Sequence, residues 1–210
     1  MTTLAPTARR LVLADRVFPR TLVMDAVLVL AGAALVTVLA QLVIPLQPVP
    51  ITGQTLAVLL VGSTLGSLRG AISMVLYAAL GLVGLPVYSD GTHGAGVLFG
   101  ATGGYIVGFI LSAALVGWLA ERQWDRKILK ALATFAAGSL AVFAIGLPWL
   151  AVVLHLNLQQ TLEGGFYPFI IGGIIKAVIA AGLLPLAWWG ADKIAKRRAA
   201  NDADSSTTQS

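Results

Sequence analysis

The sequence predicts an all-α integral membrane protein with six transmembrane helices and both termini in the cytoplasm. Two observations carry this prediction: a highly apolar composition and a one-sided distribution of basic residues. Of the 210 residues, 58% are hydrophobic and only 11% are charged, whereas soluble domains average roughly 45–50% and about 25%. A small soluble domain exposes too much of its surface to hide such an excess. Lipid must therefore cover much of the chain.

Six apolar stretches are long enough, or nearly long enough, to cross a bilayer, which takes about 20 helical residues. The second is short, with only a turn at Arg69 before the third, so it is expected to be tilted or to span only in part. These stretches form a transmembrane domain over residues 22–190, between a cytoplasmic segment (1–21) and a basic, then disordered, cytoplasmic tail (191–210). The stretches are 22–44, 54–68, 70–88, 97–120, 131–154 and 166–190.

Basic residues mark the cytoplasmic side of this arrangement. Thirteen of the 14 Lys and Arg residues lie before the first stretch, between the second and third, between the fourth and fifth, or after the sixth. The loops on the other side carry no basic residue, and their only acids are Asp90 and Glu163. Cytoplasmic loops of membrane proteins carry the excess of Lys and Arg. The pattern therefore predicts a multi-pass protein of the cell membrane, and only an even number of spans produces it.

Several classes of function are excluded or disfavoured by what the sequence lacks. It has no cysteine, which excludes thiol catalysis, cysteine-bound zinc and iron–sulfur clusters. It has no GxxxxGK[ST] loop, so the chain cannot hydrolyse ATP by itself. The histidines, His93 and His155, form no metal-ligand pair, and the serines lack a neighbouring histidine base. We expect no catalytic residue, no metal and no cofactor. An intramembrane enzyme, the rival class, would need clustered acids or histidines at membrane depth, and the spans hold only Asp25 at an edge.

One cation, Lys176, lies inside an apolar stretch, where insertion costs about 2.5–3.5 kcal/mol. It is about ten residues from the outer end of its span, or roughly 15 Å along a helix, too far for complete snorkelling. Two interpretations are open: an ion pair with an acid on a neighbouring helix, for which Asp25 is the nearest candidate, or an ammonium that neutralises an anionic ligand in a cavity. Gly172, Gly173 and Ala180 share its helical face and would leave space for a ligand.

Two loops on the outer side are unusual. Residues 44–54 contain three prolines and no charge; prolines stiffen an extended segment, which suits an ordered lid. Residues 84–96 are rich in glycine and lead towards Gly103 and Gly104, where bare backbone could approach a ligand.

Four motifs occur in order along the chain: VPITGQT at 49–55, GLPVY at 84–88, GATGGYIVGF at 100–109 and PFIIGGIIK at 168–176. Together they resemble the BioY family, the biotin-binding S component of energy-coupling factor transporters, over residues 22–190. The resemblance implies a six-helix substrate-capture protein with an outward-facing pocket. It further implies delivery of biotin together with a transmembrane coupling subunit and cytoplasmic ATPase subunits.

By the same resemblance, Lys176 corresponds to the family lysine near the ligand and Tyr105 to a pocket tyrosine, while Thr52 and Gln54 fall in the motif of the first outer loop. The chain departs from the family pattern at Gly173, where an aspartate is usual, and at Ala101, where a proline is usual. Gly173 leaves Lys176 without its local counter-charge, which suits a carboxylate ligand such as biotin and keeps open another small anionic vitamin or metabolite. The candidate substrate-binding residues are Lys176, Tyr105, Gly103, Gly104, Thr52, Gln54 and Gly173.

Overall fold

The computed structural model describes the backbone of residues 12–207 and the side chains of residues 12–193. Residues 1–11, in the predicted N-terminal segment, and 208–210, at the end of the predicted tail, lie outside the described residues. The described part contains nine α-helices and one antiparallel pair of strands. In chain order they are α1 (Leu13–Val17), α2 (Leu22–Ala40), β1 (Val43–Ile44), β2 (Ile51–Thr52), α3 (Gln54–Leu65), α4 (Ser67–Leu82), α5 (Ala95–Leu98), α6 (Gly103–Ala120), α7 (Ile128–Leu154), α8 (Leu158–Gly165) and α9 (Tyr167–Thr207).

Within the described residues, four helical segments are long and apolar enough to cross a membrane: α2, α6, α7 and the stretch 158–193 that joins α8 to α9. Helices α3 and α4 are apolar but shorter, at 12 and 16 residues. The expected shortness of the second stretch is therefore observed, and the third is shorter than predicted because α4 ends at Leu82. Gly66 joins α3 to α4 with φ 89°, a left-handed conformation that glycine adopts without steric cost.

Three predicted boundaries differ in the structure. The first helix stops at Ala40, because Val43 and Ile44 leave it to pair with Thr52 and Ile51. The proline-containing loop is thereby part of an ordered hairpin, called here the β1–β2 hairpin. The fourth stretch becomes a main helix only at Gly103, since α5 forms a separate turn before it. The predicted disordered tail differs most: the backbone of α9 stays helical to Thr207, as its Ala, Lys and Arg residues favour.

Helix α6 lies at the centre of the bundle. Of the residues in its apolar 18-residue core, 67% are buried, against 17–28% for the corresponding residues of the other three membrane-spanning segments. Glycines let neighbouring backbones approach it closely. A Cβ atom on Gly62 would lie 2.8 Å from the Ala113 carbonyl oxygen, and one on Gly108 would lie 2.9 Å from that of Val142. Small residues serve this purpose in membrane helices, where no hydrophobic force drives association. Gly62 and Gly108 therefore serve helix packing.

Ion pairs fasten α1 to the bundle at the end opposite the β1–β2 hairpin. The Asp15 carboxylate accepts hydrogen bonds from Arg20 at 2.6 Å and from Arg69 at 2.8 Å. Burial alone would raise the pKa of Asp15, but these two hydrogen bonds and the charges behind them hold it below its usual value. Arg69 also lies 2.9 Å from Asp25. Asp25 is thus paired with a cation of its own end of the bundle.

Candidate substrate-binding pocket

A pocket opens among α3, α6, α7 and α9 beneath the β1–β2 hairpin. The cavity has a volume of about 60 Å³. Apolar and aromatic side chains form most of its lining, and a few polar groups are placed among them, as is usual for small-molecule sites. The apolar and aromatic lining consists of Val49, Pro50, Leu59, Tyr88, Val97, Tyr105, Ile106, Phe109, Val142, Phe143 and Phe169; the polar lining includes Thr52, Gln54, Thr55, Ser89, Thr102, Ser139 and Lys176.

The half-buried ammonium of Lys176 forms the charged wall of this pocket. It donates to the backbone carbonyl of Thr52, in β2, and to Thr55 Oγ1 at 2.9 Å, in the first turn of α3. No carboxylate of the described residues lies within ion-pair distance of it, and Asp25 pairs with Arg69 instead. The ion-pair interpretation of Lys176 is therefore wrong. Its positive charge faces the pocket, and among the described residues its hydrogen bonds go to neutral oxygens.

Gln54 is held by hydrogen bonds to the protein on both sides of its amide. Its Nε2 donates to Tyr77 Oη at 2.6 Å, and its Oε1 accepts from Thr52 Oγ1 at 2.7 Å. Tyr77 is completely buried, and its ring packs edge-on against that of Tyr88 with centroids 5.5 Å apart. Gln54 therefore braces the hairpin against α4 beside Lys176.

Replacing Tyr77 by phenylalanine is expected to lower the stability of the protein by about 1–3 kcal/mol, because the buried amide of Gln54 would lose its acceptor. Thermal unfolding of the detergent-solubilised protein measures the effect. Tyr167, whose side chain is 53% exposed, provides a matched control, and Tyr167→Phe should leave the transition unchanged. Equal transitions for both variants would show that the Gln54–Tyr77 bond does not stabilise the fold.

Aromatic rings from α6, α7 and α9 form another wall of the pocket. The Tyr105 ring stacks on Phe169, with centroids 6.1 Å apart and planes inclined by 23°, and meets Phe143 edge-on at 6.3 Å. Tyr105 Oη donates to the Gly165 carbonyl at 2.9 Å, which fixes the ring at the junction of α8 and α9. Tyr105 thus lines the pocket, as predicted, through its ring. Phe143 and Phe169 were not singled out from the sequence, where aromatics within apolar spans give no distinguishing signal.

Gly103 and Gly104, two of the predicted ligand contacts, do not line the pocket. A Cβ atom on Gly104 would lie 2.3 Å from Trp149 Cβ, and one on Gly103 would clash with the Leu98 carbonyl oxygen. Trp149 Nε1 donates to the Gly100 carbonyl at 3.0 Å. The glycine run therefore packs α5, α6 and α7 together. The other five predicted residues, Thr52, Gln54, Tyr105, Gly173 and Lys176, share the pocket.

The loop of the β1–β2 hairpin rests on α8. A Cβ atom on Gly164 would lie 2.8 Å from Pro48 Cδ, so the missing side chain lets the proline ring settle against the helix. Asn157 caps the N-terminus of helix α8, because its Oδ1 accepts a hydrogen bond from the backbone N–H of Gln160 at 2.9 Å. Together the hairpin and α8 cover this end of the bundle.

Almost the whole chain matches a known family. The family model described as the BioY family matches residues 8–193. The chain belongs to the BioY family. This BioY member is 38% identical over 152 residues to the biotin transporter BioY2 of Lactococcus lactis subsp. cremoris, a match that covers 72% of this chain and 83% of the relative. It is 40% identical over 148 residues to the biotin transporter BioY of Thermotoga maritima, covering 70% and 86%.

The fold of this BioY member is also similar to a solved structure, the S-component for biotin from an ECF-type ABC transporter. The two share 27% sequence identity and a TM-score of 0.69, over 80% of this chain and 93% of the other. The resemblance inferred from the four motifs is thereby confirmed. So is the membrane character inferred from composition.

Proposed function

We propose that this BioY member captures biotin from outside the cell and mediates its uptake across the plasma membrane, without catalysing a reaction of its own. The observation that carries the proposal is an ammonium, Lys176, with no carboxylate partner among the described residues, placed in a mostly apolar pocket. Biotin has the complementary chemistry, since it joins an apolar fused ring and alkyl chain to one carboxylate. The names of its relatives support the same substrate.

Each wall of the pocket would contact a different part of the biotin molecule. The aromatic rings of Tyr105, Phe143 and Phe169 would bury the fused ring and the alkyl chain, at about 25 cal/mol for each Å² of apolar surface removed from water. Lys176 would supply the charge complementary to the carboxylate, in a setting where a charge-assisted hydrogen bond is stronger than a neutral one. The hairpin would close over the bound molecule.

We infer a topology of six membrane crossings with cytoplasmic termini, in which α3 and α4 are two short spans. The basic residues of α1 and of the α6–α7 loop then lie on the cytoplasmic side, and the pocket faces outward. Transport against a gradient needs a source of energy, and the chain has no nucleotide-binding loop. A transmembrane coupling subunit and cytoplasmic ATPase subunits would supply it.

Equilibrium binding of labelled biotin to the purified, detergent-solubilised protein tests the proposal. We expect saturable binding that unlabelled biotin displaces and that other small anionic vitamins displace at far higher concentrations. Gly173 is the specific observation that favours a different anionic ligand, because it leaves extra space beside Lys176. Folded protein that binds one of those vitamins and not biotin would establish this second candidate in place of the first.

A further inference from the structure

An open space lies beside the ammonium of Lys176 on the α9 wall of the pocket. Gly173 and Lys176 are three residues apart, so they share a face of the helix, and both line the cavity. A Cβ atom on Gly173 would meet no atom within 4 Å. The glycine therefore leaves room for a group of the ligand next to the charge.

Ser139 of α7 faces this space from the other side. Helices α7 and α9 run in opposite directions, and the rings of Phe143 and Phe169 meet between them with centroids 6.1 Å apart. One turn further from the hairpin on each helix are Ser139 and Gly173, and both line the pocket. The serine hydroxyl is thus the polar group that α7 presents across the gap.

The hydroxyl of Ser139 is available to a ligand. Helical serines and threonines commonly donate to the carbonyl four residues earlier, as Thr134 does to Lys130 at 2.9 Å. Ser139 makes no hydrogen bond of this kind, or of any other, within the described part of the chain. Lys176 has three donor hydrogens and gives two of them to Thr52 and Thr55. One N–H of Lys176 and the O–H of Ser139 therefore remain free to donate to a ligand.

We propose that the carboxylate of the ligand lies in the space over Gly173 and accepts hydrogen bonds from Ser139 Oγ and Lys176 Nζ. This inference rests on the proposed function and deepens it, because it makes Ser139 a specificity-determining residue. It also sets the orientation of biotin, with the carboxylate between α7 and α9 and the alkyl chain and fused ring against the aromatic lining. Among the described residues, Lys176 is the one cation that lines this cavity.

The test compares the binding of biotin and of biotin methyl ester, which lacks the charge, to the wild-type protein and to Ser139→Ala. We expect Ser139→Ala to weaken biotin binding by about tenfold, since one hydrogen bond to a charged group is lost, and to weaken ester binding by only about two- to threefold, because the neutral ester carbonyl accepts a weaker hydrogen bond. Ser112→Ala is the matched control. Ser112 is a fully buried serine on α6 without a hydrogen-bond partner, and it does not line the pocket, so both affinities should be unchanged.

A second variant fills the space directly. Gly173→Val should leave thermal unfolding unchanged, because nothing lies near its Cβ position, and should weaken biotin binding more than tenfold. An equal loss of biotin and ester binding in Ser139→Ala would place the hydroxyl at the ring and overturn the inference. Unchanged biotin binding in Ser139→Ala would overturn it too, while biotin binding by the wild-type protein would keep the proposed function intact. Absence of biotin binding by folded wild-type protein would overturn both.

Discussion

Replacing Lys176 by methionine is expected to weaken biotin binding by about tenfold to a hundredfold. A hydrogen bond to a charged group contributes roughly 1.5–3 kcal/mol, and each 1.4 kcal/mol is a factor of ten in affinity. Methionine keeps the length and the apolar stem of the side chain, so the shape of the pocket changes little. Removal of a charge from an apolar span also favours membrane insertion. A loss of binding would therefore report the missing ammonium, and equilibrium binding of labelled biotin measures it.

Lys193 provides the matched control for this variant. It lies on the same helix, outside the pocket, with its ammonium 5.0 Å from the centroid of the Trp189 ring. Lys193→Met removes the same charge and should bind biotin as the wild-type protein does. Wild-type affinity in Lys176→Met would keep the biotin assignment and disprove our account of the pocket. Equal losses in both variants would point to the net charge of the protein instead of to this site.

Substitution of Gly104 by alanine is expected to cost about 1–3 kcal/mol of stability, the usual range for extra atoms in a well-packed core. The new Cβ would lie 2.3 Å from Trp149 Cβ and 2.5 Å from its Cγ, so the indole must move. That movement would strain the hydrogen bond from Trp149 to the Gly100 carbonyl. Thermal unfolding in detergent, followed by intrinsic tryptophan fluorescence, would report the destabilisation as a lower midpoint.

Gly182→Ala is the control for this comparison. Gly182 lies within α9, and a Cβ there meets nothing within 4 Å. The substitution should be neutral or slightly stabilising, since alanine favours a helix more than glycine does. A midpoint for Gly104→Ala at or above that of the wild-type protein would refute the packing role. Weakened biotin binding without destabilisation would restore Gly104 to the binding site.

Much of the fold follows from the sequence because lipid imposes a simple requirement. A span must be apolar over its length, so α2, α6, α7 and α9 are recognisable from composition alone. Their ends are set by other interactions. Val43 leaves the first stretch to pair with Thr52, and Gly66 turns the chain between α3 and α4. Neither interaction has a signature in hydropathy.

The binding site follows from the sequence only where a residue is out of place in its surroundings. Lys176 is conspicuous because a cation inside an apolar span is costly. Thr55 and Phe143 are ordinary residues for a membrane helix, and only the distances to Lys176 and Tyr105 identify them. Glycines in the sequence, by contrast, can be assigned to a binding site wrongly. Bare backbone admits either a ligand or a neighbouring side chain, and at Gly104 the neighbour is Trp149.

The covered pocket has a consequence for the rates of binding. Pro48 seats the hairpin on α8 at Gly164, and we expect a ligand to reach Lys176 only when this hairpin moves away. A single partly buried charge gives little long-range electrostatic steering, and the loops at 41–53, 83–102 and 155–166 carry no Lys or Arg. Association should therefore depend on the frequency of opening and respond only weakly to ionic strength. Retention of the captured molecule is then governed by the hairpin, while the choice of molecule is governed by the residues below it.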